Sequence, residues 1–343
     1  MKKLGAAVIG LKMGRGHLEG YRRNPNIEIK AVCDLDERLL KILGDKYGVD
    51  RRITDYREIL NMDDVDVVSV ATPDHLHCEQ SIALMRSGKH ILCEKPMALK
   101  VDECKKMLDV SKETGVKFMI GQVCRYAPGF VLTKKLIDQG VIGDLFYVES
   151  EYAHDYLGTD GVGGWRKDPA IKREPFIGGG CHAVDLVRWI AGEVHEVFAY
   201  SNHMMLKDWP VDDCFISSMR FKSGVIGKVF VSIGCKRPYT MRSVFYGSEG
   251  TIISDNTSPS IQVYSNKLQD KLSFSSIPVA IDNHNVSAEV AELVNCILQD
   301  KPVKTDAVEG MMTVAVCTAA VDSSKKGTPI IVEDILSSVG YRK

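Results

Sequence analysis

Over residues 4–120, short apolar runs alternate with amphipathic stretches. The runs are Leu4–Ile9, Ile27–Cys33, Val65–Ala71, His90–Cys93 and Lys117–Ile120. Between them, Gly14–Arg23, Asp36–Tyr47, His77–Ser87 and Val101–Thr114 carry helical spacing. Continuous apolar strands joined through helices predict a doubly wound parallel sheet covered on both faces. Asp36 precedes one helix, Asp102 opens another, and Gly115 is placed to close the latter in a left-handed turn. After about residue 122 the pattern changes. A helix near Phe130–Gln139 leads to a long alternating strand, Leu145–Ala153, then a glycine-rich stretch, Gly161–Gly180, and a helix at His182–Ala191. Strands are expected at Glu196–Asn202, Asp213–Phe221, Val225–Ile233, Arg242–Tyr246 and Thr251–Ser254, most of them joined by turns such as Lys222-Ser223-Gly224. Val286–Gln299 and Ala307–Lys325 return to helix. The expectation is a first α/β domain over residues 1–121 and an α+β domain over 122–343. The second is built on a large, mostly antiparallel open sheet, and its final helices are free to pack back on the first domain.

At 343 residues the chain accommodates two cores, and 45% hydrophobic with 26% charged residues is ordinary for a water-soluble protein. Lys and Arg (44) nearly balance Asp and Glu (45), so no global field draws nucleic acid or an anionic membrane. A small-molecule partner is expected. No segment approaches the ~20 apolar residues of a membrane span, and the short apolar start is not followed by a small-residue cleavage site. Ten cysteines occur without a C-x-x-C pair, and six (33, 78, 93, 104, 296 and 317) fall in apolar patterns, which points to a reducing cytoplasm.

The first strand runs into Val8-Ile9-Gly10-Leu11-Lys12-Met13-Gly14-Arg15-Gly16-His17. A glycine turn between strand and helix lets backbone N–H groups approach a pyrophosphate, the arrangement of a Rossmann domain. The spacing Gly10 to Gly14 is one residue shorter than G-x-G-x-x-G, and Lys12 stands where the middle glycine is expected. Asp34 ends the second strand twenty residues beyond Gly14. There it either accepts the adenosine ribose hydroxyls or caps the following helix. An acid here favours NAD, while Lys12 and Arg15 leave NADP open.

Two further segments carry a family resemblance. Thr72-Pro73-Asp74-His75-Leu76-His77 and Gly88-Lys89-His90-Ile91-Leu92-Cys93-Glu94-Lys95-Pro96 together resemble the T-P-x-x-x-H and G-K-H-V-x-x-E-K-P motifs of the Gfo/Idh/MocA oxidoreductases. Arg125-Tyr126-Ala127-Pro128 is similar to that family's R-[YF]-x-P element, and the resemblance extends over essentially the whole chain. Beside Gly10, Lys12, Met13 and Gly14 of the glycine turn and Asp34, it implies that Thr72, Pro73, His77, Glu94 and Lys95 line the cofactor. It also implies that Lys95 and His182 are catalytic: an ammonium stabilises developing charge on oxygen, and an imidazole exchanges the hydroxyl proton. Many members carry an aspartate four residues before that histidine, where this chain has Gly178. Asp185, one turn beyond, either orients His182 or serves packing. Arg125, Tyr126, Tyr152, His154, Trp165, Arg166 and Asp185 are the candidate substrate contacts; alternation places Tyr152 and His154 on one strand face, for a sugar pocket or for support of the long loop.

His75-x-His77 and Cys181-His182 lack the three or four spaced ligands of a zinc site, and no metal is expected. The implied activity is hydride transfer between NAD and a hydroxyl or keto carbon of a sugar, cyclitol or related polyol, by a homodimer or homotetramer. Glycoside cleavage through a retained, recycled NAD is the alternative that the missing acid at 178 raises. A non-catalytic dinucleotide sensor is a third reading, which the intact Glu94-Lys95-Pro96 and His182 oppose.

Overall fold

The computed structural model describes residues 3–267, 273–281 and 284–342; the first two residues and the last, which bound the expected domains, lie outside these. The chain forms two compact units, residues 1–122 with 286–312 and residues 123–285 with 313–343.

In the first unit the elements run β1 (Leu4–Ile9), α1 (Leu11–Arg23), β2 (Ile27–Cys33), α2 (Glu37–Tyr47), β3 (Arg51–Ile53), β4 (Val67–Val70), α3 (His77–Arg86), β5 (His90–Cys93), α4 (Val101–Thr114) and β6 (Phe118–Ile120). The strands pair in the order β3-β2-β1-β4-β5-β6 and are all parallel. Ala6, Ala7, Val8, Val67, Val68, Val70, Ile91 and Leu92 are buried, as strands covered on both faces require. Two local points differ from the expected pattern. β3 is a polar edge strand without an apolar run, set by its pairing to β2 rather than by composition. Asp102 lies in the first turn of α4; the residue before that helix is Lys100, without a side-chain cap. Gly115 does close it, at φ 67°.

The second unit contains α5 (Pro128–Asp138), β7 (Leu145–Ala153), α6 (Pro175–Gly178), α7 (Cys181–Ala191), β8 (Val194–Asn202), β9 (Cys214–Phe221), β10 (Ile226–Ser232), β11 (Thr240–Gly247), β12 (Gly250–Asp255), β13 (Ser260–Ser265) and β14 (Ser275–Pro278). Then follow α8 (Val286–Leu298), α9 (Ala307–Lys326), β15 (Ile330–Ile331) and α10 (Val332–Ser338). Among the described residues nine strands pair as β14-β13-β12-β11-β7-β10-β9-β8-β15, and of these pairs only β7 with β10 is parallel. Phe215, Met219, Phe221, Val229 and Val231 are buried on one face. Tyr200, Ile216, Ile226 and Tyr246 are exposed, on the strand positions that alternate with the buried ones.

Helix α8 belongs to the first unit. It packs along α1, where Gly16 and Gly20 leave room: a Cβ on Gly20 would stand 3.0 Å from Val290. The following segment is tied to β6 by Ile120 N–H to the Thr305 carbonyl (2.7 Å) and by the Thr305 hydroxyl to the Ile120 carbonyl (2.8 Å).

Candidate active site

The end of β1 sets the first part of the site. Gly10 has φ 86°, and a Cβ there would lie 2.4 Å from the Ala71 carbonyl oxygen, so only glycine fits. Because the loop is short, α1 starts at the next residue and has no side-chain cap. Gly14 lets this helix approach the sheet: its Cβ would meet Val8 at 2.4 Å. Lys12 and Met13 are exposed on the first turn, and Arg15 donates from Nε to the Lys12 carbonyl (3.0 Å). Asp34 accepts from the Leu11 N–H (2.6 Å) and the Asp36 N–H (2.9 Å), so it fastens the glycine turn. The cap of α2 is Asp36, whose carboxylate accepts from Leu39 N–H. A carboxylate has about four acceptor positions, which leaves Asp34 capacity for ribose hydroxyls.

The loop after β4 is fixed from within. Thr72 donates its hydroxyl to Gln80 (2.7 Å), and Pro73 leads into a short helical turn. His77 is buried with both ring nitrogens 2.9 Å from carbonyl oxygens, those of Thr72 and Pro96. It thereby ties the Thr72–Pro73 loop to the Glu94-Lys95-Pro96 loop. Both nitrogens can donate only as imidazolium; burial opposes that charge, but Cys93, Asp74 and the Pro96 carbonyl outweigh it and lift the pKa to about 10.

Glu94 lies at the exit of β5. One of its oxygens is 3.0 Å from His17 Nε2, and the other accepts the Lys95 N–H at 3.1 Å. Burial alone would raise its pKa, yet His17 and Lys95 hold it down to about 2. His17 continues through Ser69 (3.0 Å) to Tyr21 (2.9 Å). Lys95 is half-buried at this carboxyl end of the sheet. Sequence reasoning missed Glu289 on α8. It is fully buried, neither carboxyl oxygen has a hydrogen-bond partner among the described residues, and burial followed by the charge of Glu94 pushes its pKa well up. The available signal was an acid on the helix stripe shared by Val286, Val290 and Leu293.

The second unit carries its own aromatic cluster, built on β7. Tyr152 OH is 3.2 Å from His154 Nδ1 and 2.8 Å from Tyr156 OH, so Tyr152 and His154 do share a face. The Tyr152 ring stacks at 6.2 Å on His182, which in turn lies 5.5 Å from His284. His182 sits in the first turn of α7, buried, with Nδ1 3.4 Å from Cys124 Sγ. Burial raises the Tyr152 phenol well above its ordinary range.

Arg125 grips the fully buried Asp185 through two bonds of 2.8 and 2.7 Å, and Thr313 adds a third contact at 3.3 Å. The Asp185 carboxylate thus locks α7 to the turn containing Arg125 and half-buried Tyr126. Trp165 and Arg166 lie together: the Arg166 guanidinium is 5.5 Å from the Trp165 ring and 5.4 Å from Tyr156. Arg173, also missed, lies against the other expected position. A Cβ on Gly178 would fall 2.2 Å from its Cζ, and its Nη2 donates to the Gly178 carbonyl at 2.8 Å. Where the resemblance implies a carboxylate, this chain places a buried guanidinium.

The parallel strand order, the left-handed glycine and the acid closing β2 define a Rossmann dinucleotide-binding unit of the kind found in nicotinamide-dependent oxidoreductases. Comparison with known proteins makes this specific. Residues 4–122 match the Gfo/Idh/MocA model described as an oxidoreductase family with an NAD-binding Rossmann fold, and residues 130–253 match the Gfo/Idh/MocA C-terminal domain. The chain belongs to the Gfo/Idh/MocA oxidoreductase family. It is 27% identical over 292 residues to levoglucosan dehydrogenase of Pseudarthrobacter phenanthrenivorans, covering 74% of each chain. It is 29% identical over 279 residues to myo-inositol 2-dehydrogenase of Thermotoga maritima, covering 77% of this chain and 79% of that one. Its fold is similar to the solved levoglucosan dehydrogenase in complex with NADH, with TM-score 0.89 and 24% identity over 96% of this chain and 99% of that one.

Proposed function

We propose that this enzyme is an NAD-dependent dehydrogenase for a hydroxyl carbon of a sugar, cyclitol or related polyol. The observation that carries the reading is Glu94, anchored by His17 and the Lys95 N–H, which leaves the Lys95 ammonium at the carboxyl end of β5. The residues of the first unit fit the dinucleotide: Gly10 and the uncapped start of α1 for the pyrophosphate, Asp34 for the ribose. When bound, NAD supplies a hydride acceptor. Lys95 stabilises charge developing on the substrate oxygen. His182 takes the hydroxyl proton as the C–H pair departs and the carbonyl forms, then releases it to water.

The relatives named dehydrogenases of levoglucosan and myo-inositol support this substrate class. The first unit carries the cofactor and the second the substrate groups. The exposed Tyr200, Ile216, Ile226 and Tyr246 support assembly of copies through the open sheet face, as a dimer or tetramer. Ten cysteines, seven of them buried, support a reducing cytoplasm. Among the described residues no helix is long and apolar enough to cross a membrane. The test is incubation with NAD and a panel of sugars, inositols and sugar acids, read at the reduced-nicotinamide band. Silence with every compound in both directions overturns the proposal; release of product from a glycoside without net NADH favours redox-assisted cleavage.

A further inference from the structure

Helix α8 brings to the first unit one acid that the proposed chemistry does not use. Gly16 and Gly20 open the face of α1 to Val286 and Val290, which stand 3.5 and 3.0 Å from the Cβ each glycine lacks, and Glu289 shares that stripe of α8. The residues after the two glycines, His17 and Tyr21, belong to a buried hydrogen-bonded chain. Tyr21 Oη meets Ser69 Oγ (2.9 Å), Ser69 Oγ meets His17 Nδ1 (3.0 Å), His17 Nε2 meets Glu94 Oε1 (3.0 Å), and the Lys95 N–H donates to Glu94 Oε2 (3.1 Å). Helix α8 also packs against β5, whose end carries Glu94 and Lys95. Tyr21, Ser69, His17 and Glu94 thus all have partners. The Glu289 carboxyl is fully buried and has none among the described residues.

A carboxyl taken out of water without a donor keeps its proton, and the negative charge of Glu94 reinforces this. Two features hold ionisation within reach. Glu289 stands in the first turn of α8, where the helix dipole favours a carboxylate, and the Lys95 ammonium pulls the same way. The titratable and charged groups around it are His17 and Tyr21 from α1 and Glu94 and Lys95 from the end of β5. On α8 itself, Glu292 is paired with Lys304 (3.2 Å). Burial keeps the Tyr21 phenol protonated. Within this set the charges of Glu94 and Lys95 cancel, so one further positive charge finds a counter-ion only if Glu289 ionises. A nicotinamide ring carries such a charge when oxidised and none when reduced.

We propose that Glu289 links a proton to the redox state of the cofactor: it stays protonated in the free enzyme and beside the reduced ring, and releases its proton to solvent when the oxidised ring binds next to Glu94 and Lys95. This rests on the reading that Glu94 and Lys95 border the nicotinamide. By linkage, the enzyme holds NAD⁺ more tightly as pH rises, while its hold on NADH does not change.

The test is calorimetric titration of the full-length protein with NAD⁺ and, separately, NADH, from about pH 5.5 to 8.5, in buffers of low and high ionisation enthalpy that count the protons released. Groups that answer to the rest of the dinucleotide act on both forms alike, so the difference between them isolates the ring charge. Affinity for NAD⁺ should rise by up to about tenfold per pH unit where Glu289 titrates, and by roughly 5–150-fold in all, with NADH flat. In Glu289→Gln the slope and the released proton should both vanish, leaving NAD⁺ bound at its wild-type low-pH affinity. Equal slopes for the two nucleotides, no proton released by wild type, or a slope that survives in Glu289→Gln each overturn the inference. The wild-type comparison can sink it even if the variant does not fold. No polyol enters these titrations, so a failure of the dehydrogenase reading shows separately, as a substrate panel that leaves NAD⁺ unreduced. If neither nucleotide binds, the dinucleotide site itself is refuted, and the inference with it.

Discussion

Glu289→Gln should stabilise the first unit at neutral pH, and the gain should depend on pH in a defined direction. The carboxyl of Glu289 is buried without a hydrogen-bond partner among the described residues, and burial, then Glu94, displaces its pKa well above 4.5; the Lys95 ammonium pulls the other way. His17 and Tyr21 on α1 and Glu94 and Lys95 after β5 are the titratable groups around this core. In the unfolded chain the same carboxyl ionises near its ordinary value. Folding thus keeps a proton that unfolding releases. The stability from this group is complete below pH 4.5 and declines as pH rises toward the folded-state pKa. The slope is about 1.4 kcal/mol per pH unit for one proton. At roughly 2–4 °C per kcal/mol for a unit of this size, wild type should lose about 3–6 °C per pH unit relative to the variant. The amide in the variant carries no such proton, so the difference in midpoint, variant minus wild type, should grow from pH 5 upward. Differential scanning fluorimetry of both proteins from pH 4.5 to 8.5 reads it directly. A difference that stays flat across that range would refute a neutral Glu289, because an ionised buried carboxylate exchanges no proton on unfolding there.

Three further outcomes are expected. Asp185→Asn breaks the bidentate pair with Arg125 and leaves a guanidinium in a buried setting, which should cost about 3–5 kcal/mol and show as a lower denaturation midpoint; an unchanged midpoint would mean the pair is dispensable. Gly10→Ala forces a side chain into a left-handed backbone against Ala71, a strain of about 1–3 kcal/mol, and should weaken NAD binding in a fluorescence titration. Lys95→Met should lower kcat/KM by about 10²–10⁴-fold while retaining NAD affinity, measured by steady-state kinetics and the same titration.

Much of the first unit was legible in the sequence because parallel strands buried on both faces must be written as unbroken apolar runs. Leu4–Ile9, Ile27–Cys33 and His90–Cys93 coincide with β1, β2 and β5. β3 escaped because an edge strand of Arg51-Arg52-Ile53 owes its conformation to a neighbour rather than to its own side chains. β14 escaped for a related reason: Ser275–Pro278 has little apolar pattern and is specified by pairing with β13, whereas β13 carries buried Ile261 and Val263 in alternation and could have been read. The return of α8 to the first unit was left open, since an amphipathic helix shows that it has a partner without showing which one.

The site divides in the same way. Motif positions were readable, but what each side chain does there depends on partners far away in the chain. His77 matched a loop motif, yet its ring is spent on the Thr72 and Pro96 carbonyls, a bond pattern that spacing cannot reveal. Asp34 was open between ribose binding and helix capping; the structure gives the cap to Asp36 and a role in the glycine turn to Asp34. The loss of the acid at Gly178 looked like a deletion of function. Seen with Arg173 it is a substitution, because a guanidinium fills the volume that the missing side chain would need. Three successive glycines, 178 to 180, were therefore the trace of groups packed against the backbone: Arg173, Tyr152 and Val231 each stand within 2.6 Å of a Cβ that is not there. Glycine in a turn is usually read for its free dihedral angles. None of these three has a left-handed φ, so their lack of a side chain, and not backbone freedom, is the property the fold uses.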